Sequence, residues 1–245
     1  LTNYYFLMFT ECKVSVDFLI KKAKEIKVVI DNNAPEIEKL DQEIGDGDHI
    51  FNVQRGIKLV IELEPILKNL SMSKALNQIA MKILSGIGGS SGALFGTLFM
   101  TMAKVSNIDD GVDYKKAINM FTDGVEAVKQ RGKADVGEKT MMDVLIPVAN
   151  CLKQGIEKNK DLKDLMREAI EEAEKGMLST KDLLATKGRA SFLGERSKGH
   201  IDPGARSSQP VSYTHLRAHE TPEHVVFRLV LEKKKGGGGG GGGGG

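Results

Sequence analysis

Apolar residues recur three and four positions apart along most of the chain, with lysines and glutamates filling the positions between. That is the spacing of a single buried stripe on a helix of 3.6 residues per turn. Residues 14–30 show it first, and KALNQIAMKIL (74–84), YKKAINMFTDGVEAVKQ (114–130), TMMDVLIPVANCLKQGIE (140–157) and LKDLMREAIEEAEKGM (162–177) repeat it. Alternating runs rich in β-branched residues are scarce, so no sheet is expected. Clusters of glycine, asparagine and serine in KNLSMS, SNIDDG and QRGKADVGEK punctuate the helices. The pattern predicts an all-α fold of about seven or eight helices joined by short loops, in one domain with no boundary before residue 209.

Four polar, glycine-bearing loops interrupt the stripes: EIGDGDHIFN (43–52), SGIGGSSGALFG (85–96), QRGKADVGEKT (130–140) and TKGRASFLGERSKGHIDPGA (186–205). A connector that only packs has no need of so much charge. If alternate loops of an antiparallel bundle gather at one end, these four form a single site.

The first loop sets Asp46 and Asp48 two residues apart, with Gly45 and Gly47 beside them and Asp41 within reach from the preceding helix. Three carboxylates so close repel one another unless a cation neutralises them. A calcium EF-hand is excluded, because the twelfth position counted from Asp46 is Ile57 and from Asp41 is Asn52, where that motif requires a glutamate. Oxygen ligands without a cysteine or a histidine pair disfavour zinc and favour Mg²⁺, which characteristically bridges to a phosphate. The plain alternative is a helix-capping loop with solvated acids.

The second loop places small residues ahead of an apolar helix, where free backbone N–H groups meet an anion. It is neither a P-loop, lacking Gly-Lys-Ser/Thr, nor a dinucleotide fingerprint, since Ser91 stands where the third glycine belongs. Close helix packing through small residues explains it equally well. The last two loops add Lys133, Lys139, Arg189, Arg196, His200 and Asp202. Basic groups beside glycines suit phosphate oxygens, although each taken singly also fits a solvated face. Together the loops point to a nucleotide held as its Mg²⁺ complex.

Composition changes the picture at one place. Residues 210–245 end in ten glycines, which have no side chain to bury, and the stretch before them back-translates to a string resembling a sequencing-library adapter. This tail is expected to be non-native and disordered. It holds five of the 35 Lys+Arg and three of the 33 Asp+Glu, leaving 30 of each, so the formal charge of +2 falls to zero. A nucleic-acid or membrane footprint needs a basic excess that residues 1–209 lack. His215, His219 and His224 go with the tail, leaving His49 and His200. Cys12 and Cys151 lie in separate apolar patterns and read as buried thiols of a reducing, cytoplasmic protein. Leu1 is not a methionine, so the start within residues 1–13 is uncertain, with Met8 a candidate.

LDQEIGDGDHIFNVQRG (40–56), GIGGSSGALFG (86–96), RGKADVGEKTMMDV (131–144) and KGRASFLGERSKGHIDPGARSS (187–208) resemble, in order, the signature blocks of the nucleotide-binding L subunit, or L-like domain, of dihydroxyacetone kinases. The resemblance implies an antiparallel eight-helix barrel with ADP or ATP capping one end. It implies that Asp41, Asp46 and Asp48 hold two Mg²⁺ ions and that they carry the chemistry with Arg189. His49, Asn52, Gly89, Ser90 and Ser91 would meet phosphates. Gly132, Lys133, Thr140, Met141, Arg189, Asp202, Pro203 and Gly204 would surround the nucleotide. The implied reaction is phosphoryl transfer to dihydroxyacetone, which depends on positioning and metal neutralisation and not on a protein nucleophile.

A chain of this length resembles the phosphotransferase-system type. The ketone then sits in a K subunit and an M subunit, fed from phosphoenolpyruvate, rephosphorylates ADP in place. A transcription regulator is a further partner of the family, and a homodimer is left open. Two alternatives remain at this point, an ATP-dependent kinase domain for another small ketose or polyol and a non-catalytic nucleotide-sensing module. In the family a final helix follows the HIDPGA block, whereas here the tail replaces it. That helix is expected to be missing or replaced, and the chain less stable than one with a family-like last helix.

Overall fold

The fold is that of a computed structural model, which describes residues 14–106 and 112–216, with side chains described through residue 210. Cys12, Met8 and residues 217–245, on which several of the expectations above fall, lie outside the described residues.

The described residues are all-α, as the spacing predicts. The segments are α1 (Val16–Ile44), α2 (His49–Glu62), the single turn α3 (Glu64–Leu67), α4 (Met72–Gly86), α5 (Gly89–Val105), α6 (Tyr114–Gly132), α7 (Met142–Glu157), α8 (Leu162–Ser179), a 3₁₀ stretch (Arg189–Ser197) and α9 (Pro203–Leu216). An antiparallel bridge between Val14 and Val112 is the extended pairing seen among the described residues.

Capping follows local chemistry. Ser15 Oγ accepts from Phe18 N at 3.1 Å to start α1, Asp113 Oδ1 from Lys116 N at 2.7 Å to start α6, and Asp161 Oδ1 from Lys163 N at 2.9 Å to start α8. Each satisfies an N–H that the first helical turn leaves open.

Two boundaries differ from the sequence reading. The apolar stripe of residues 14–30 continues, so α1 runs to Ile44 through Asn32, Asn33 and Pro35 and buries Ile37 and Ile44 as well as Ile20, Ile26 and Ile30. Proline has no N–H to give, so the Asp31 carbonyl loses its helical partner there. The burial of Ile37, with no exposed surface, outweighs that loss at about 1.5–3 kcal/mol per large apolar side chain.

The second difference is at the C-terminus. A last helix is present, and α9 runs through Pro210 to Leu216, into the segment expected to be disordered. Its first two turns bury Ala205, Ser207 and Ser208, and these precede the tail.

Each long helix packs on the next: α1 on α2, α2 on α4, α4 on α5, and so on through α8 on α9, and α9 returns to α1. Short connections between neighbours that pack side by side make the helices run alternately up and down. The turns at 45–48, 87–88, 133–141 and 180–202 therefore share one end. A continuous apolar interior supports that end. Ile118, Val144, Val148, Leu152, Leu165, Ala169, Ala173, Met177 and Ala205 join α6, α7, α8 and α9, and Leu98, Val125, Val128, Met142, Leu145 and Ala149 join α5, α6 and α7. Alanines line α8 because α7 comes close: a Cβ at Gly176 would lie 2.1 Å from the Asp143 carbonyl oxygen. Cys151 is half-buried against this interior, and burial pushes its thiol pKa up. No helix among the described residues is long and apolar enough to cross a membrane.

Candidate functional site: an acidic cluster at the loop end of the helix ring

The end of α1 and the start of α2 build the acidic cluster. Asp41 is buried on the last turn of α1, and the backbone folds back at once, Gly45 N donating to Asp41 O at 2.7 Å. A Cβ at Gly45 would stand 1.9 Å from Asp41 Oδ1, so only glycine leaves that carboxylate where it is. Gly47 then takes φ +77°, a left-handed conformation that glycine adopts at little cost. Asp48 sits at the N-cap of α2 but makes no capping bond with its side chain. Asp41 Oδ2 does the capping, accepting from His49 N at 2.9 Å.

Asp46 and Asp48 are thus left exposed and take no part in capping α2. Among the described residues, these three aspartates form the one cluster of its kind, with an oxygen from each within 4.8 Å of the others. Hard oxygen donors at that separation suit a divalent cation. The capping-loop alternative accounts for Asp41 alone.

The last block is clamped over this cluster. Its 3₁₀ stretch rests on a small apolar patch of Ile44, Ala185 and Ala190, with Leu193 beside it, and Ser197 Oγ accepts from Ala185 N at 3.1 Å. From it Arg189 Nε reaches Asp46 Oδ2 at 2.8 Å. His200 Nδ1 lies 2.6 Å from Glu43 Oε2. Ser207 Oγ lies 3.0 Å from the Gly204 carbonyl and 2.8 Å from His49 Nε2, tying the imidazole to the first turn of α9. Burial lowers the His49 pKa, while Asp41, Asp48 and Asp46 pull it the other way. Arg206 pins α9 to α1, donating to Glu36 Oε1 and Oε2 at 3.0 and 2.8 Å and to Asn33 Oδ1 at 2.7 Å.

The third block is held from beneath by Asp143, on the first turn of α7, which accepts from Gly137 N at 2.6 Å and Thr140 N at 2.8 Å. Met141 meets the last block: a Cβ at Gly204 would lie 3.5 Å from Met141 Cβ. Asp202 caps α9, its Oδ2 accepting from Ala205 N at 2.7 Å. Burial pushes its carboxyl up to about 7, with the Ala205 N–H and the Lys139 charge opposing. The second block enters through packing. Ile87 fills the space at Gly56 of α2, and Leu94 of α5 lies 3.4 Å from where a Gly132 Cβ would be. Gly89 and Ser90 are exposed at the start of α5, whose N-cap Gly88 makes no side-chain bond. The α2, α5, α7 and α9 N-termini, with their positive dipole ends, all face this end.

The structure thus gathers Asp41, Asp46, Asp48, His49 and Arg189 at one place, and sets Met141 against Gly204. Asn52 stands one turn into α2, its N donating to Asp48 O at 3.1 Å. Lys133 is exposed at the C-cap of α6 in the left-handed region. Lys139 departs from both readings offered for it: it neither waits for a phosphate nor lies solvated, but is 1% exposed. Sequence reasoning passed over Asp143, Thr180 and Ser207, which hold the loops together. Only the position of Asp143 three residues after Thr140 hinted at a backbone-binding role.

Comparison with known proteins gives the family and the fold. The model of the DAK2 domain matches residues 43–213. The ADP-binding subunit DhaL of the PEP-dependent dihydroxyacetone kinase of Escherichia coli is 43% identical over 168 residues, 69% of this chain and 80% of that protein. The ADP-binding subunit DhaL of PEP-dependent dihydroxyacetone kinase 1 of Listeria innocua is 39% identical over 196 residues, 78% of this chain and 91% of that protein. In fold, the chain matches the dihydroxyacetone kinase of C. freundii in complex with AMP-PNP and Mg²⁺ with a TM-score of 0.63 at 20% identity. That match covers 84% of this chain and 35% of the C. freundii chain.

Proposed function

The chain belongs to the DAK2-domain family, and from that premise we propose that it is the ADP-binding L subunit of a PEP-dependent dihydroxyacetone kinase. The observation that carries the reading is the cluster of Asp41, Asp46 and Asp48, with oxygens within 4.8 Å of one another and Arg189 beside them.

In this reading the three aspartates hold Mg²⁺, two ions by the family resemblance, and the metal supplies neutralisation of phosphate charge during transfer. The protein's own groups do the rest. Asp41, fixed by the His49 N–H, sets one carboxylate rigidly. His49 and Asn52, with Gly89, Ser90 and Ser91, meet the phosphates at helix N-termini. Gly132, Lys133, Thr140 and Met141 form one wall of the nucleotide site, and Asp202, Pro203 and Gly204 the other. Arg189 carries a positive charge to the place where the transferred group develops negative charge.

With the aspartates given to the metal, the phosphoryl group passes directly to a ketone presented by a second, K-type subunit. A PEP-fed M subunit in the cytoplasm would restore the bound nucleotide. A transcription regulator and a homodimer are further partners in this reading.

Calorimetric titration of ADP into the full chain, with and without Mg²⁺, tests it. Mg²⁺-dependent binding that Asp46→Asn abolishes is the expected result. No ADP binding by a folded, unsubstituted chain would overturn it.

A further inference from the structure

Lys139 is the largest of the fully buried side chains, 1% exposed, in a molecule whose interior is otherwise mostly aliphatic. An ammonium withdrawn from water costs several kcal/mol unless its protons are satisfied. Here two of the three are spent on backbone. Nζ donates to the Thr180 carbonyl and, at 2.5 Å, to the His200 carbonyl.

Those two carbonyls stand at the two ends of the excursion that carries Arg189. The same neck is tied by Gly199 N donating to Lys181 O at 2.8 Å and by Asp202 N donating to Thr180 Oγ1 at 3.0 Å. Lys139 is itself fixed from the other side. Its backbone takes φ +60°, between Gly137 and Thr140, whose N–H groups both go to Asp143. Glu138, next to it, accepts from Thr186 Oγ1 at 3.2 Å.

We propose that Lys139 is the positioning residue of the nucleotide site. Its ammonium closes the neck of the 181–199 excursion onto the third block and so sets where Arg189 and Gly204 stand relative to Asp46 and Met141. The inference rests on the nucleotide-binding reading above. An aliphatic side chain of the same volume would fill the space without replacing the hydrogen bonds. It would leave two buried carbonyls without donors and the neck detached from the third block's ammonium, held only by its own two bonds.

The test titrates ADP with Mg²⁺, and separately Mn²⁺ alone, into the full chain and into Lys139→Met and Lys139→Gln, with circular dichroism on each. The aspartate cluster is built by α1 and α2, so Mn²⁺ binding is expected to be retained in both variants, at most tightening by the about two- to fivefold that release of the exposed Arg189–Asp46 pair allows. ADP affinity is expected to fall about tenfold to a hundredfold in Lys139→Met, the scale of a roughly 1 Å misplacement. Lys139→Gln should lie between, because its amide nitrogen sits one bond short of the ammonium and serves one carbonyl.

Wild-type ADP affinity in a folded Lys139→Met, or a parallel loss of Mn²⁺ and ADP binding, would overturn the inference. If the Met variant does not fold, the Gln variant decides. Weakened ADP binding with retained Mn²⁺ binding supports the role, and unweakened ADP binding refutes it. Absence of ADP binding by the unsubstituted chain would instead sink the reading on which the inference rests.

Discussion

Arg189 Nε stands 2.8 Å from Asp46 Oδ2, joining the 3₁₀ stretch of the last block to the turn that follows α1. The pair is open to solvent, with side chains 70% and 42% exposed. An ion pair so exposed is worth about 0–1 kcal/mol. It is strong enough to bias where the arginine rests and weak enough for a divalent cation to displace it. Arg189→Gln should therefore tighten Mn²⁺ binding in the absence of nucleotide, by about two- to fivefold on that energy scale, while weakening ADP binding. Titrations of the metal alone and of ADP separate the two effects. Unchanged Mn²⁺ affinity would mean that the arginine does not compete for Asp46.

The two glycines of the aspartate turn are expected to respond differently to alanine. At Gly45 a Cβ would fall 1.9 Å from Asp41 Oδ1, a clash that only movement of the carboxylate relieves. Gly45→Ala should keep its helical signal yet lose Mg²⁺-dependent ADP affinity by about tenfold or more, as first-ligand misplacement does. At Gly47 nothing lies within 4 Å, and the cost is the φ of +77°. Gly47→Ala should lower stability by about 1–2 kcal/mol and leave metal affinity much closer to the parent. Equal losses of ADP affinity in both variants would argue against steric displacement of Asp41.

Local pattern revealed much of this molecule, and long-range pairing was hidden in it. The stripes in 74–84, 114–130 and 162–177 each fall inside an observed helix, and that in 140–157 overruns its helix by two residues at the N-terminal end, because a 3.6-residue period is set by the residues of that segment alone. The aspartate cluster was legible for the same reason, since its three members lie within eight positions. Pro35 obscured the true length of α1, where burial of Ile37 and Ile44 against other helices overrides a local helix breaker. The partners of His49 and Lys139 were out of reach. Ser207 lies 158 positions from His49, and the Thr180 and His200 carbonyls lie 41 and 61 positions from Lys139. A lysine beside glycines looks the same in sequence whether it meets water, a phosphate or two buried carbonyls.

Closure of the ring depends on Arg206, which joins α9 to Glu36 and Asn33 of α1 while its own side chain is 13% exposed. Charge-assisted hydrogen bonds contribute about 1.5–3 kcal/mol each, but Glu36 is 52% exposed, and solvent screening lowers the total. Arg206→Ala should cost about 1–2 kcal/mol, seen as a lower midpoint in urea with a similar slope. His49 meets α9 through Ser207, so ADP affinity should fall as well. A midpoint equal to the parent's would show that apolar packing around Ala205 holds α9 without help.

Asp202 sets a stability term with an unusual sign. Burial raises its carboxyl from 3.8 to about 7, so between those values the folded chain holds a proton that the unfolded chain has released. Stability from this group is full below the unfolded value and is lost as pH rises through about 7. Asp202→Asn keeps a side chain that caps helices comparably well and removes the titration. Near pH 4 the variant and parent should unfold at similar urea concentrations. By pH 8 the variant should be the more stable, by up to a few kcal/mol at about 1.4 kcal/mol per pK unit. Taking the difference between the two proteins cancels the groups they share. These include Glu64, which salt bridges to Lys24 and Lys68 lower to about 2 and which acts at the acid end. A difference that stays flat from pH 4 to 8 would mean that Asp202 is ionised throughout, its charge held by Lys139 and the α9 N-terminus at no net cost.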